Sequence, residues 1–309
     1  MSVSPPVPAN RKRHRDLGYV PFLIPGVILS LLIVALPLVM DIGISFTRWQ
    51  GVGTPTWIGV DNYVRLLGDR NFWASFAHIV ALIVAMAIIP SIIGLFLAAL
   101  LFDYVARVVN GRVAGFFRAG YYLPQILPVV VAGIAWGWIL HPGSDGALNA
   151  TLTAVGLGGL AHDWLGDPST ALPSVMVMMI WFQIGYPLVI FMAGLQRVDP
   201  QLYEAAELDG ASWLQRFLRI TIHLIRPEIL VVLLTTTIAA LKVFGPIFVL
   251  TRGGPGTATI VPSYFAYQNF FEKASVGYGS AISVVLAVIV VLVTIVFLRV
   301  RSSDDQSGG

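Results

Sequence analysis

Six long runs with almost no charge set the pattern of apolar and polar positions. Leu17–Met40, Asn71–Phe102, Ala119–Leu140, Pro168–Gln196 and Ala274–Leu298 carry no Asp, Glu, Lys or Arg, and Ile229–Thr251 carries only Lys242. A helix needs about 20 apolar residues to cross the hydrocarbon of a bilayer, whereas a barrel strand needs about 10 of alternating polarity. The runs are continuous and 22 to 32 residues long, so they predict six transmembrane helices. Helices also satisfy their own backbone groups where no water is available. The pattern divides the chain into a polar tail at 1–16, a first transmembrane helix over 17–44, a five-helix core over 71–298 and a short tail at 299–309. Arg11, Lys12, Arg13 and Arg15 resemble the start of a signal peptide. The run behind them exceeds the roughly 7–15 apolar residues of such a peptide and contains Pro21, Pro25 and Pro37, so it reads as a retained anchor.

Basic residues orient the spans, because they collect on the cytoplasmic side. The N-terminal tail, the loop with Arg107, Arg112 and Arg118, the loop with Arg197, Arg216, Arg219 and Arg226, and the tail with Arg299 and Arg301 together hold 13 of the 19. The alternate loops hold 5, namely Arg48, Arg65, Arg70, Arg252 and Lys273. Both termini are therefore expected in the cytoplasm, with the chain multi-pass in the membrane. The outer loops, near 45–70, 141–167 and 252–273, are too short for a separate domain of about 50 residues. Trp49, Trp57, Trp73, Trp138 and Trp164 fall near the expected interfaces, as an aromatic belt would.

Composition narrows the function. The chain is 57% hydrophobic and 11% charged, against about 25% charged in soluble domains, which excludes an ordinary soluble enzyme. The isoelectric point near 9.3 reflects a small, scattered basic excess and does not point to nucleic acid. There is no cysteine, hence no disulfide, thiolate metal site or cysteine nucleophile. No P-loop, H-E-x-x-H or G-x-S-x-G motif occurs, so no cofactor, ATP, metal or catalytic site is expected on this chain. Proton-coupled carriers usually hold carboxylates within the membrane; here Asp41 and Asp103 lie at span ends, leaving Lys242 and His78 inside. Energy is expected from a partner.

The loop over 197–228 stands apart. Asp199 suits an N-cap, Pro200 the first helical position and Gly210 a left-handed stop, which predicts a helix over about 200–209. Ser212 and Gln215 form an S-x-x-Q capping box for a second helix, and Pro227 predicts a bend before the fifth span. Capping signals alone fit a solvated, idle hairpin just as well. The spacing of Glu204-Ala205-Ala206, Gly210 and Ile220-x-Ile222, with Asp209-Gly210-Ala211 inside it, resembles the EAA loop of ABC-importer permeases. Trp57-Ile-Gly-Val-Asp-Asn-Tyr63, Tyr122-Leu-Pro-Gln-Ile-Leu-Pro128 and Thr251-Arg-Gly-Gly-Pro255 are similar to segments of the carbohydrate-uptake subgroup, the maltose, trehalose and glycerol-phosphate type. The larger of that subgroup's paired permeases, with its extra first helix, is the nearer likeness. His223 stands where the family pattern usually has proline.

The resemblance implies an all-α, six-helix type I (MetI-like) permease fold. It implies inward carbohydrate transport, with ATP and magnesium bound by two partner ATP-binding cassette subunits. A second, related permease and an external solute-binding protein complete the implied assembly. Tyr203, Glu204, Ala205, Ala206, Leu208, Asp209 and Gly210 would then couple to an ATP-binding subunit. Polar and aromatic groups within spans mark a candidate substrate path at Trp181, Gln183, Tyr186, Lys242 and Phe244. Helix packing, or snorkelling for Lys242, accounts for the same residues. Asp103, Arg107 and Arg112 are candidates to pair with the coupling helix, or form a solvated face. A permease for a non-sugar solute and a solitary secondary carrier are the alternatives.

Overall fold

Apolar runs of this length fold as helices, and breaks fall at two of their proline steps, Leu127-Pro128 and Gly245-Pro246. The structure, a computed structural model, describes residues 20–102 and 111–307. Its long helices are α1 (Phe22–Ser45), α3 (Arg70–Leu100), α7 (Ala171–Leu195) and α13 (Val276–Ser307). Between them lie α2 (Asp61–Leu67), α4 (Gly111–Ile126), α5 (Val129–Ile139) and α6 (Ala147–Ala154). The remainder are α8 (Pro200–Leu208), α9 (Trp213–Leu224), α10 (Arg226–Leu241), α11 (Gly245–Leu250) and α12 (Pro262–Tyr267). One two-residue ribbon, β1 (Thr47–Arg48) antiparallel to β2 (Thr56–Trp57), sets Thr47 opposite Trp57. The N-terminal tail, the first three residues of the first run, and Asp103 and Arg107 lie outside the described residues.

Four helices are long and apolar enough to cross a membrane, and two bent pairs bring the number to six if each counts as one span. The third run is bent by 96° between α4 and α5. Pro128 disfavours helical backbone at Leu127, and it sits at ψ 129° immediately before α5. The fifth run also departs from one continuous helix. α10 stops at Leu241, and Lys242 and Phe244 leave helical geometry before Gly245-Pro246 starts α11. The expected bend near Pro227 is present, 70° between α9 and α10. The C-terminal helix continues through Ser307, beyond its apolar part, because no glycine or proline follows Gly279 within it and extending a formed helix costs little.

Two glycines set how the helices cross. A Cβ at Gly94 of α3 would lie 2.8 Å from Pro187 Cβ and 3.0 Å from Leu188 N of α7. A Cβ at Gly185 of α7 would lie 2.7 Å from Tyr122 Cα and meet the Tyr121 carbonyl of α4. Around these crossings Ile79 and Leu82, Val175 and Met178, Ile247, Tyr264 and Ile282 close one core. Leu188, Phe191, Leu195, Ile225 and Val232 close a second, beside the α8–α9 hairpin. α1 adds little to either: the apolar window within it is 0% buried, and it rests on α13 alone among the long helices.

The Trp57–Tyr63 segment clamps the end of α1. Asn62 is buried and donates to the Ser45 and Thr47 carbonyls at 2.8 and 2.9 Å, and Tyr63 shares a hydrogen bond of 2.6 Å with Ser45. Buried carbonyls need such partners, so the motif fixes where the chain leaves α1. His78, inside α3, donates from Nδ1 to the Ile260 carbonyl at 2.8 Å and so ties α3 to the segment before α12.

Candidate coupling hairpin and translocation path

Local capping builds the α8–α9 hairpin. The Asp199 carboxylate accepts from Gln201 N at 2.9 Å, and Pro200 opens α8. Gly210 takes φ 77°, a left-handed geometry that other residues resist, and reverses the chain. Ser212 and Gln215 close a complete capping box, with Gln215 Oε1 accepting from Ser212 N at 2.8 Å. The hairpin is then fastened across its two arms. Tyr203 is buried and its hydroxyl lies 3.0 Å from Thr221 Oγ1; Arg216 pairs with Glu207 at 2.6 Å. Trp213 stacks on Phe217 at 5.2 Å and meets Phe96 of α3 edge-on at 6.0 Å, which joins the hairpin to the transmembrane helices. At its root Arg197 forms an ion pair with Glu228, which bridges α7 to α10.

The candidate coupling residues therefore divide into two roles. Glu204, Ala205, Leu208, Asp209 and Gly210 are exposed, with Leu208 at 90%, and Ala206 is half-buried. Tyr203 turns inward and holds α8 on α9. Leu202, Leu208, Leu214, Leu218 and Leu224 are all largely exposed on the hairpin. A water-facing hairpin rarely shows five leucines without a partner to cover them. Arg112 is engaged in an interaction and is not a free cation.

The path candidates do not gather into one chamber. Gln183 is buried, and Gln125 of α4 donates to its Oε1 at 3.2 Å and to the Phe182 carbonyl at 3.0 Å. Tyr186 and Thr235 of α10 share a hydrogen bond of 3.0 Å. Trp181 meets Trp136 of α5 at 5.7 Å and lines, with Tyr121 and Pro124, an apolar cleft of about 310 Å³. Phe244 belongs to an aromatic group farther along: it stacks on Phe248 at 5.3 Å and meets Tyr267 at 5.2 Å. Burial, and then the Glu272 carboxylate, push the phenol of neighbouring Tyr264 above its ordinary range, so it stays a neutral donor. Lys242, at the break after α10, is exposed and makes no ion pair among the described residues.

Gln125, Thr235 and Trp136 escaped the sequence reading. Gln125 offered the same signal as Gln183, an amide inside an uncharged run. Thr235 and Trp136 gave none, because a hydroxyl or indole in a span is common and only the fold supplies its neighbour. No group of three or more metal-ligating side chains occurs among the described residues.

Against known proteins, residues 91–302 match a family model described as binding-protein-dependent transport system inner membrane component. A probable ABC transporter permease protein of Pyrococcus horikoshii is 35% identical over 93% of this chain and 97% of its own length. The trehalose/maltose transport system permease protein of Thermococcus litoralis is 34% identical over 93% of this chain and 94% of its own. Among solved structures, a bacterial ABC transporter involved in the import of the acidic polysaccharide alginate superposes with a TM-score of 0.78 at 24% identity. That superposition covers 93% of this chain and 95% of the other, and it is a likeness of fold.

Proposed function

Because the chain belongs to the inner membrane components of binding-protein-dependent transport systems, and has their ABC-importer permease fold, we propose that it carries a carbohydrate inward as one transmembrane subunit of an ATP-driven importer. The observation that carries this reading is the α8–α9 hairpin: rigidly capped, anchored by Tyr203 to Thr221, and crowned by exposed Leu208. A lever needs stiffness at its root and a sticky tip, and this hairpin has both.

In this reading the exposed edge of α8, at Glu204, Ala205, Ala206, Leu208, Asp209 and Gly210, seats in a groove of an ATP-binding cassette subunit. Tyr203 positions it. Closure of two such subunits, which hold ATP and magnesium, displaces the hairpin. The Trp213–Phe96 contact and the Arg197–Glu228 pair pass the movement to α3, α7 and α10. Paired with a second permease, the chain rocks between inward and outward openings. A solute-binding protein delivers its cargo at the outer face. This chain contributes no catalytic group to ATP hydrolysis. The 13-to-5 bias of basic residues supports a cytoplasmic hairpin and cytoplasmic termini.

Carbohydrate as cargo is supported by the trehalose/maltose relative and by the chemistry of the spans. Sugar rings pack on aromatic faces and bond to amides and hydroxyls. Trp181, Gln183, Tyr186 and Phe244 supply these groups, and Lys242 adds a free ammonium at a helix break, where irregular backbone is tolerated beside a wet cavity. The test is ATP turnover of the purified assembly in lipid. Turnover that rises with a loaded sugar-binding protein supports the reading, and turnover indifferent to every sugar tried defeats the carbohydrate part.

A further inference from the structure

Three of the five basic residues outside the cytoplasmic set line one pocket. Arg48, Arg65 and Lys273, with Asp61, Asn62, Gln50, Trp49 and Ser275, enclose about 410 Å³ where the chain leaves α1 and enters α13. The walls are fixed. Asn62 holds β1 through the Thr47 carbonyl, and Gly277 N donates to the Trp49 carbonyl at 3.3 Å. A Cβ at Gly277 would meet that same Thr47 carbonyl, so only glycine lets α13 start this close to β1.

The three cations outnumber the one carboxylate that lines this pocket, Asp61. None of the three forms an ion pair among the described residues, although Asp61 lines the same space. Asp69, next along the chain, is committed elsewhere. Its Oδ1 accepts from Asn71 N at 2.8 Å as the cap of α3, and its Oδ2 accepts from the Tyr278 hydroxyl at 2.7 Å. The Arg65 guanidinium sits over the Tyr278 ring, 3.9 Å from its centroid, which helps to hold it in place. Like charges gathered in a concave site raise a positive potential that an anion relieves.

Where the pocket sits says which anion. It lies at the end of α1, whose apolar residues are largely exposed; its wall residue Ile58 follows Trp57, which is 69% exposed, and Trp73 near the start of α3 is 54% exposed. Exposed tryptophans at the ends of spans mark the headgroup layer of a bilayer. We propose that the Arg48–Arg65–Lys273 pocket binds the phosphate of an anionic phospholipid headgroup, whose acyl chains lie along α1 and α13. Two arginines suit the phosphate oxygens through charge-assisted, directional hydrogen bonds, and the excess positive charge favours an anionic over a zwitterionic lipid.

The test is native mass spectrometry of the full-length chain, with whatever partners copurify, released from micelles containing phosphatidylglycerol or phosphatidylcholine. The wild type is expected to keep phosphatidylglycerol in preference to phosphatidylcholine. Arg48→Gln, Arg65→Gln and Lys273→Gln should each weaken that retention about fivefold. The charge-keeping Arg48→Lys and Lys273→Arg, and Arg70→Gln at an exposed cation outside the pocket, should keep it. Arg48→Gln and Lys273→Gln leave the Tyr278 contact intact, so they decide the matter even if Arg65→Gln fails to fold. Equal retention of both lipids, or retention unchanged in the Gln variants, overturns the proposal. So does displacement of the lipid by inorganic phosphate at equal concentration, which assigns the pocket to a free anion. Variants that keep the lipid but lose stimulation by a binding protein assign it to a protein contact and overturn it too. Lipid retention is read without sugar or ATP, so its failure is distinct from failure of the transport reading.

Discussion

The hydroxyl of Tyr203 lies 3.0 Å from Thr221 Oγ1, and both side chains are buried between the two arms of the α8–α9 hairpin. One arm carries the surface that a partner would meet, and the other continues past a 70° bend into α10. In the proposed coupling, this pair passes force from α8 to α9. Tyr203→Phe leaves the Thr221 hydroxyl without its tyrosine partner and is expected to cost about 1 kcal/mol. Tyr203→Ala removes a buried ring and is expected to cost about 3–5 kcal/mol locally. ATP turnover stimulated by the binding protein should fall modestly in the first variant and collapse in the second. Equal stimulation in both would show that the pair carries no movement.

Leu208 is 90% exposed, so Leu208→Asp touches nothing in the chain itself. Its effect on thermal stability in detergent should stay within about 0.5 kcal/mol. Its effect on association should be large, because a carboxylate placed in an apolar groove is left without a partner. Copurification of an ATP-hydrolysing subunit is the readout, and undiminished recovery would remove Leu208 from the docking surface.

Gly185→Ala should destabilise the fold, since its methyl would meet the Tyr121 carbonyl and stand 2.7 Å from Tyr122 Cα. Backbone cannot rotate away as a side chain can, so the cost is expected at about 1–3 kcal/mol or more. Gly26→Ala is the control, because nothing lies within 4 Å of its added methyl. A lower melting temperature for the first and none for the second is the expected result; equal melting would mean that α4 and α7 do not cross at Gly185.

Gln183 and Lys242 separate a path from mere packing. Gln183→Ala loses the bond from Gln125, while Lys242→Ala breaks no ion pair among the described residues. The double variant is expected to fold and to lose most sugar uptake into vesicles. Uptake at the wild-type rate would return both residues to a structural role.

The hairpin was legible in the sequence because its determinants are local. Asp199, Pro200, Gly210, Ser212 and Gln215 each act within a turn of their own position, and each does in the structure what its type and spacing imply. Six apolar runs were legible for the same reason, since hydrophobicity needs no knowledge of neighbours. The bends were not. Pro124 and Pro128 lie in one run, yet Pro124 stays inside α4 and only Pro128 ends it. What separates them is the contact of α4 with Gly185, more than fifty residues away in sequence. The stop at Leu241 had a weak signal in Gly245-Pro246, hidden by the hydrophobicity of Val243, Phe244 and Ile247. The inward turn of Tyr203 was also hidden, because a tyrosine beside Glu204-Ala205-Ala206 reads as part of the same exposed edge until α9 is folded over it. The outer cationic pocket needed three distant segments brought together, and the charge tally that oriented the spans treated its members separately.

The central claim is that the edge of α8 seats on an ATP-binding subunit. The chain contains no cysteine, so a single Leu208→Cys variant carries one unique attachment point. A short thiol-directed photo-crosslinker at that position, in membranes expressing the whole assembly, measures the contact directly. The account predicts one dominant product joining this chain to an ATP-hydrolysing subunit, absent from Trp73→Cys at the other end of the molecule. A chain that labels at Leu208→Cys but crosslinks to no such subunit would contradict it.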